Sequence, residues 1–388
     1  MQLVQQIPRP KQQVLPLGLK LLQYIGLWGD SRVRYKYVLM VSYIVAVWVG
    51  PKIVLGSGKD GFNSFVRNIA EIVFSSENCI TIVMFAVKNR TFGKLVDVLE
   101  RILDHQWPEH LQDEIESFNR RMEKFSLIYA IYISVLNIIY QAVPFLTSVV
   151  KMVLLDETER GDFTLMYEMQ FYWLDIRRNS THFFIFTAFC APATIITAYI
   201  IIVKGVILQV IIHYGSKIFD LVSKRIDAMA KLTNVDERHK EFLEIIRLHH
   251  LALEYMTYLE NTASLILMNL MMSCLLVWCL MLFYVSSNFG PDAVNVIVLF
   301  VALVIEMAVY CINGSYLSEK AVEVAHAMYR YPWYKESIEM QKSVQFIIKR
   351  SQKPTGITAA KFYFVNIQRF GATLQATYSY FIILKDRF

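Results

Sequence analysis

The 388-residue chain lacks the marks of several protein classes, and each lack narrows what it can be. Its five cysteines, Cys79, Cys190, Cys274, Cys279 and Cys311, all fall inside apolar runs. A disulfide framework needs paired loop cysteines in an oxidising compartment, so none is expected. No signal peptide opens the sequence. Residues 1–36 are polar and basic, apart from a short amphipathic piece around Leu15–Trp28, so the first apolar run is expected to act as the insertion signal. His239, His249 and His250 lack zinc-site spacing, and no cysteine or carboxylate completes a metal set. No nucleophile–base arrangement stands out. The reading is therefore no enzyme, with no catalytic residue, metal, cofactor or nucleic-acid partner. The motif Gly56-SGKD-Gly61 would need a strand before it and a helix after it to cradle a nucleotide. It follows an apolar run in a short connection and reads as a flexible turn.

What the chain has is apolar length. Hydrophobic residues make up 55% of it, above the share of an ordinary soluble domain. Seven runs are long enough to span a bilayer as helices: about 37–55, 68–88, 125–150, 182–212, 262–286, 293–313 and 362–384. Helix follows because lipid offers backbone groups no other partner. With the N-terminus inside, the four inner segments carry 28 Lys and Arg and the outer ones 8. That bias predicts a cytoplasmic N-terminus and an extracellular C-terminus. A G-protein-coupled receptor runs the other way. It would also be expected to carry an Asp-Arg-Tyr-like triplet after the third run, which here ends VPFLTSVVKMVLL.

The fold class is therefore an all-α polytopic membrane protein of seven transmembrane helices with a cytoplasmic helical anchor layer. Residues 1–36 form a cytoplasmic segment. Residues 37–313 hold spans one to six, of which 213–261 is partly cytoplasmic anchor. Residues 314–361 supply an anchor helix, and 362–388 a last spanning helix and short tail. Phe242, Ile245, Ile246, His249, Leu253 and Met256 repeat with helical spacing within 213–261, as expected of a packed layer.

Three ionisable residues fall inside spans: Glu77, Lys204 and Glu306. Such groups are costly in hydrocarbon and raise a functional question. Lys204 is long enough to snorkel inward, and Glu77 is expected to face the bundle interior with a polar partner. The outer halves of spans two to six mix aromatic and mildly polar residues: Phe74, Ser75, Tyr140, Phe145, Phe183, Phe186, Phe189, Cys190, Phe283 and Tyr284. Such a mix suits a small apolar pocket with one or two orienting polar groups. Triplets for N-glycosylation occur at Asn89, Asn179 and Asn313, and only Asn179 falls on the outer side.

The last run carries polar chemistry that a lipid-facing helix does not need. On a helical wheel Gln368, Ala372, Gln375, Ser379 and Asp386 share a stripe about 60° wide, flanked by Ile382 and Ile383 near the outer end. Four such helices around an axis would line a pore, closed by an aliphatic ring and acidic at its mouth. Gln and Ser used as interhelical glue would give the same stripe.

The stretches Tyr331-PWY, Gln352-KPTGITAAKF and Ala376-TYSYFIIL resemble the C-terminal signature of insect odorant receptors. Length and inverted seven-span topology match that family over essentially the whole chain. Related gustatory receptors end in Thr-Tyr, five apolar residues and Gln-Phe; here Thr377-Tyr378 is followed by SYFIILKD. The 213–261 region is too short for the insertion of the family's co-receptor, so the chain resembles an odour-tuning subunit. The resemblance implies a ligand-gated non-selective cation channel, a heterotetramer with the co-receptor. It also implies a small volatile bound between spans two to six, permeating cations, surrounding membrane lipid, and placement in the plasma membrane of olfactory neuron dendrites. It aligns Ile383 with the gate and Asp386 with a polar pore position. Two rivals remain at this point, a gustatory-type homomeric channel and a metabotropic seven-helix receptor. A transporter would need a repeated pair of broken helices, which the sequence does not show.

Overall fold

The computed structural model describes residues 15–29, 34–56, 61–155, 161–288 and 291–387. The interior of the Gly56–Gly61 motif, part of segment 1–36 and residue 388 lie outside the described residues.

The short helix α1 (Pro16–Tyr24) opens on a proline, whose missing N–H costs nothing in a first turn. A rod then runs from α2 (Tyr35–Ile44) through a π-helical turn (Val45–Val49) into α3 (Gly50–Leu55). Pro51 has no N–H for the helical ladder, and its ring presses on the carbonyl four residues back. The ladder re-registers just before it, with Gly50 N–H donating to the Val45 carbonyl. The longer helices are α4 (Phe62–Leu103), α5 (Glu109–Leu154), α6 (Ser180–Met229), α7 (Val235–Ser287) and α8 (Pro291–Arg330). A 3-10 turn at Trp333–Lys335 and α9 (Ile338–Ser351) follow, then the hairpin β1 (Thr358–Ala359) and β2 (Tyr363–Phe364), then α10 (Ile367–Arg387).

Six rods among the described residues are long and apolar enough to cross a membrane, and each contains one of the first six runs read from the sequence. The seventh, α10, has the length at 21 residues, but its Gln, Thr, Ser and Arg keep it out of that set. Helices of 42 to 53 residues, such as α4 and α7, measure about 60–80 Å, twice a hydrocarbon core of ~30 Å. The surplus forms a layer beyond one end of the bundle. There Lys217 meets Glu114 at 2.5 Å, Lys320 meets Asp220 at 2.8 Å and Arg238 meets Glu336 at 3.0 Å. Side chains close the helix starts: Asn179 accepts from His182 N–H, Asn234 from Asp236 N–H and Ser337 from Met340 N–H.

Within the bundle α4 packs along α7, and α6 along α8 and α5. Residues 161–179 do not stay outside as a plain connection. Phe163, Leu165, Met166, Tyr167, Met169 and Phe171 are all buried, so this segment plugs one end of the bundle.

The last helix starts at Ile367, not at 362, because residues 357–365 form the hairpin. Its strands pair Thr358 with Phe364 and Ala359 with Tyr363. Two of the three turn residues are left-handed, Ala360 at φ 48° and Lys361 at φ 65°, a conformation better suited to glycine and asparagine. Helix α7 pins the turn: Thr358 N–H donates to Glu260 at 2.9 Å and Ala360 N–H to the Ser264 carbonyl at 3.1 Å. Helix α8 supplies the floor, since a Cβ on Gly314 would collide with the Val365 carbonyl oxygen. Asn366 accepts from Arg369 N–H at 2.8 Å and starts α10.

Candidate ligand cavity and an exposed polar helix

A cavity of about 90 Å³ lies between α4, α5, α6, α8, the π-helical turn and the buried plug. Its apolar wall includes Phe74, Ile133, Leu136, Ile201, Leu299 and Leu303. Trp48 reaches it because the π turn rotates that stretch, and its ring lies 4.0 Å from that of Tyr167 on the plug. Most polar groups on the wall are satisfied inside the protein. Thr194 and Thr197 donate back to Ala191 and Ala193, Asn137 to the Thr194 carbonyl, and Tyr140 to the Met166 carbonyl. Such a chamber suits a small, mostly apolar molecule.

Of the pocket residues expected from the sequence, Phe74 and Tyr140 line this cavity. The others lie elsewhere. Ser75 is buried and donates to the Glu71 carbonyl. Phe145 stacks on Phe183, and Phe186 packs edge-on against Phe171 of the plug. Cys190 is fully buried, Phe189 is 51% exposed, and Phe283 meets Phe62 near the start of α4. Trp48, Tyr167, Thr194, Thr197, Glu71 and Glu306 line the cavity without having been expected there. Glu71 carried a signal, standing four residues after Arg67 at the head of the second run. Tyr167 carried none, since nothing in the sequence shows a loop folding inward.

Two charge clusters sit in the bundle. At the plug end, Glu71 accepts from Lys52 and from Arg67 Nε (2.9 Å), and Glu168 accepts from Arg177 at 2.6 Å. Midway along the bundle, Lys204 of α6 meets Glu77 of α4 at 3.3 Å and Glu306 of α8 at 3.2 Å. Lys204 does not snorkel: its side chain is 1% exposed, because two carboxylates inside the bundle hold it there. Glu77 also accepts from Thr81 at 3.0 Å.

Helix α10 rests on α7 and α8 through one face only. Phe370, Phe381 and Leu384 pack against the core, Phe370 edge-on to Trp278, and Thr377 is buried. On the wheel this face lies opposite the polar stripe. Gln368, Ala372, Gln375, Ser379 and Asp386 are all exposed, as are Ile382 (38%) and Ile383 (56%). The chain thus offers a long, part-polar helix face that none of the other described residues covers.

A family model described as 7tm Odorant receptor matches residues 61–378. Odorant receptor 13a of Drosophila melanogaster is 26% identical over 391 residues, covering 91% of this chain and 90% of the relative. The odorant receptor coreceptor of Ooceraea biroi is 34% identical over 79 residues, covering 20% of this chain and 16% of the coreceptor. Among solved structures, the insect olfactory receptor OR5 from Machilis hrabei in complex with eugenol superposes with a TM-score of 0.80 at 14% identity, covering 96% of this chain and 98% of that one.

Proposed function

The chain belongs to the insect odorant receptor family, whose members are receptors and not enzymes, and from that membership we propose that it is an odour-tuning subunit of a ligand-gated, non-selective cation channel. In this reading the N-terminus is cytoplasmic, the C-terminus is extracellular, and the layer of long helix ends is the cytoplasmic anchor. The protein works in a heterotetramer with the co-receptor, in the plasma membrane of olfactory neuron dendrites. A small volatile enters the cavity walled by Phe74, Tyr140, Trp48 and Tyr167. It shifts the closed–open equilibrium by its differential affinity for the two states. Helix α10 faces the shared axis, with Ile383 and Ile382 closing the pore and Gln375, Ser379 and Asp386 lining it.

The observation that carries this reading is the outward-facing polar stripe of α10. A lone helix exposing Gln368, Gln375, Ser379 and Asp386 to lipid would lose their hydration without replacement. A shared aqueous axis between subunits removes that cost. The test is cysteine substitution at Ser379 and Ile383 in the chain expressed with the co-receptor. Charged, membrane-impermeant thiol reagents should alter the odour-evoked current when applied during activation. Currents indifferent to reagent at both positions, from receptors present at the surface, would refute the pore assignment.

A further inference from the structure

Lys204, Glu77 and Glu306 do not form a balanced set. Lys204 donates to both oxygens of Glu77, at 3.5 and 3.3 Å. It lies 3.2 Å from Glu306 Oε1, yet that oxygen receives no hydrogen bond. One ammonium can neutralise only one of the two carboxylates. Glu306, only 8% exposed, therefore brings a second negative charge to membrane depth beside a cation that it shares with Glu77. Burying an extra carboxylate there works against stability. Its position suggests what it is for: Glu306 is on the wall of the cavity.

The wall contributed by the other helices is apolar and aromatic, with Phe74, Ile133, Leu136 and Tyr140. A carboxylate with unused acceptor capacity, beside aromatic rings that favour cations, selects a positively charged head on a small hydrocarbon body. We infer that this cavity is built for a small amine, bound as its ammonium against Glu306. With an amine in place, two carboxylates face two cations and the buried charge is balanced. This rests on the cavity being the ligand site of the receptor, and it adds the ligand's chemical class and the residue that recognises it.

The test compares amines with partners of the same shape: benzylamine with benzyl alcohol and toluene, hexylamine with hexanol and heptane. The full chain is expressed with the co-receptor for current recording, and also purified in detergent for thermal-shift binding. Each amine should act and bind at a concentration at least about ten-fold lower than its alcohol. Glu306→Gln should bring the ratio of amine to alcohol potency down to about one, whatever it does to the alcohols themselves, and thermal-shift binding reads that ratio without the current. The substitution keeps the Lys204–Glu77 pair, so surface expression should hold, and surface biotinylation checks this. Amines no better than their alcohols, or a preference that survives Glu306→Gln, would overturn the inference. Glu306-dependent amine binding with no current from any volatile would support it while counting against the channel reading.

Discussion

Replacing Lys204 with methionine tests the buried trio directly. Methionine fills nearly the same volume, so packing changes little and the charge effect is isolated. The ammonium is the common partner of Glu77, 3% exposed, and Glu306, 8% exposed. Removing one partner of a buried ion pair costs about 3–5 kcal/mol, because a charge is left without compensation. Here two carboxylates are left. They repel each other, and protonation of one or both limits the loss. At 1.4 kcal/mol per factor of ten, the ratio of folded to unfolded protein should fall by roughly a hundred- to several-thousand-fold. The measurements are surface biotinylation in cells and the melting temperature of detergent-purified protein. Lys204→Met should be retained inside the cell and melt well below the parent. The triple variant Lys204→Met, Glu77→Gln, Glu306→Gln should recover much of both, since no uncompensated charge remains. If Lys204→Met reaches the surface and melts like the parent, the trio does not carry the buried charge interaction described.

Other substitutions probe other parts of the fold. Gly314→Ala should destabilise by about 3 kcal/mol, because the Val365 carbonyl is backbone pinned by the hairpin and cannot move aside; an unchanged melting temperature would show that the hairpin yields. Ile383→Ser should raise basal current when expressed with the co-receptor, if Ile383 closes the pore; basal current equal to the parent's at equal surface level counts against the gate. His105, in the turn between α4 and α5, is held below the ordinary 6.5 by burial and by the nearby Arg225 guanidinium. The folded state therefore favours the neutral ring. Its contribution is present above pH 6.5 and is lost as pH falls below that value, where the unfolded chain binds a proton that the folded one does not. His105→Gln should flatten the acid-side decline of stability, read as melting temperature against pH; an unaltered slope would assign the decline to other groups.

The first six rods were legible in the sequence because bilayer length imposes a coarse signal, about 20 apolar residues, that no tertiary contact can override. The exposed stripe of α10 was legible for a similar reason: a helical period applied to Gln368, Gln375, Ser379 and Asp386 needs no partner helix. The hairpin before α10 was not legible. Ala360 and Lys361 adopt left-handed geometry against their own preference, held by Ala360 N–H donating to the Ser264 carbonyl of distant α7 and by Lys361 N–H donating to Thr358. The cavity was only partly legible. Phe74 and Tyr140 sit on helices whose inward face follows from spacing, whereas Trp48 is turned in by a π-helical turn and Tyr167 by a folded loop. Composition identified Lys204 as unusual, but its length made snorkelling look available. Only the positions of Glu77 and Glu306, on two other helices, decide against it.

Helix α8 joins the two features that matter for the receptor reading. Its Glu306 is on the cavity wall, and eight residues further on Gly314 lies under the Val365 carbonyl. Ser315 then accepts the Ile367 N–H, the first of α10, at 3.0 Å. Eight residues of helix are about 12 Å of stiff rod. Glu306 is also tied to α6 through Lys204, so a ligand that draws Glu306 toward the cavity acts on an element already held at that depth. Translation or rotation of α8 there is carried to the seat of α10 with little compliance, because Gly314 leaves no gap to absorb it. In the channel reading, this is a mechanical route from cavity to pore helix that needs no movement of the anchor layer. Tight contact at Gly314 is what makes the route stiff, and a glycine is what allows contact that tight.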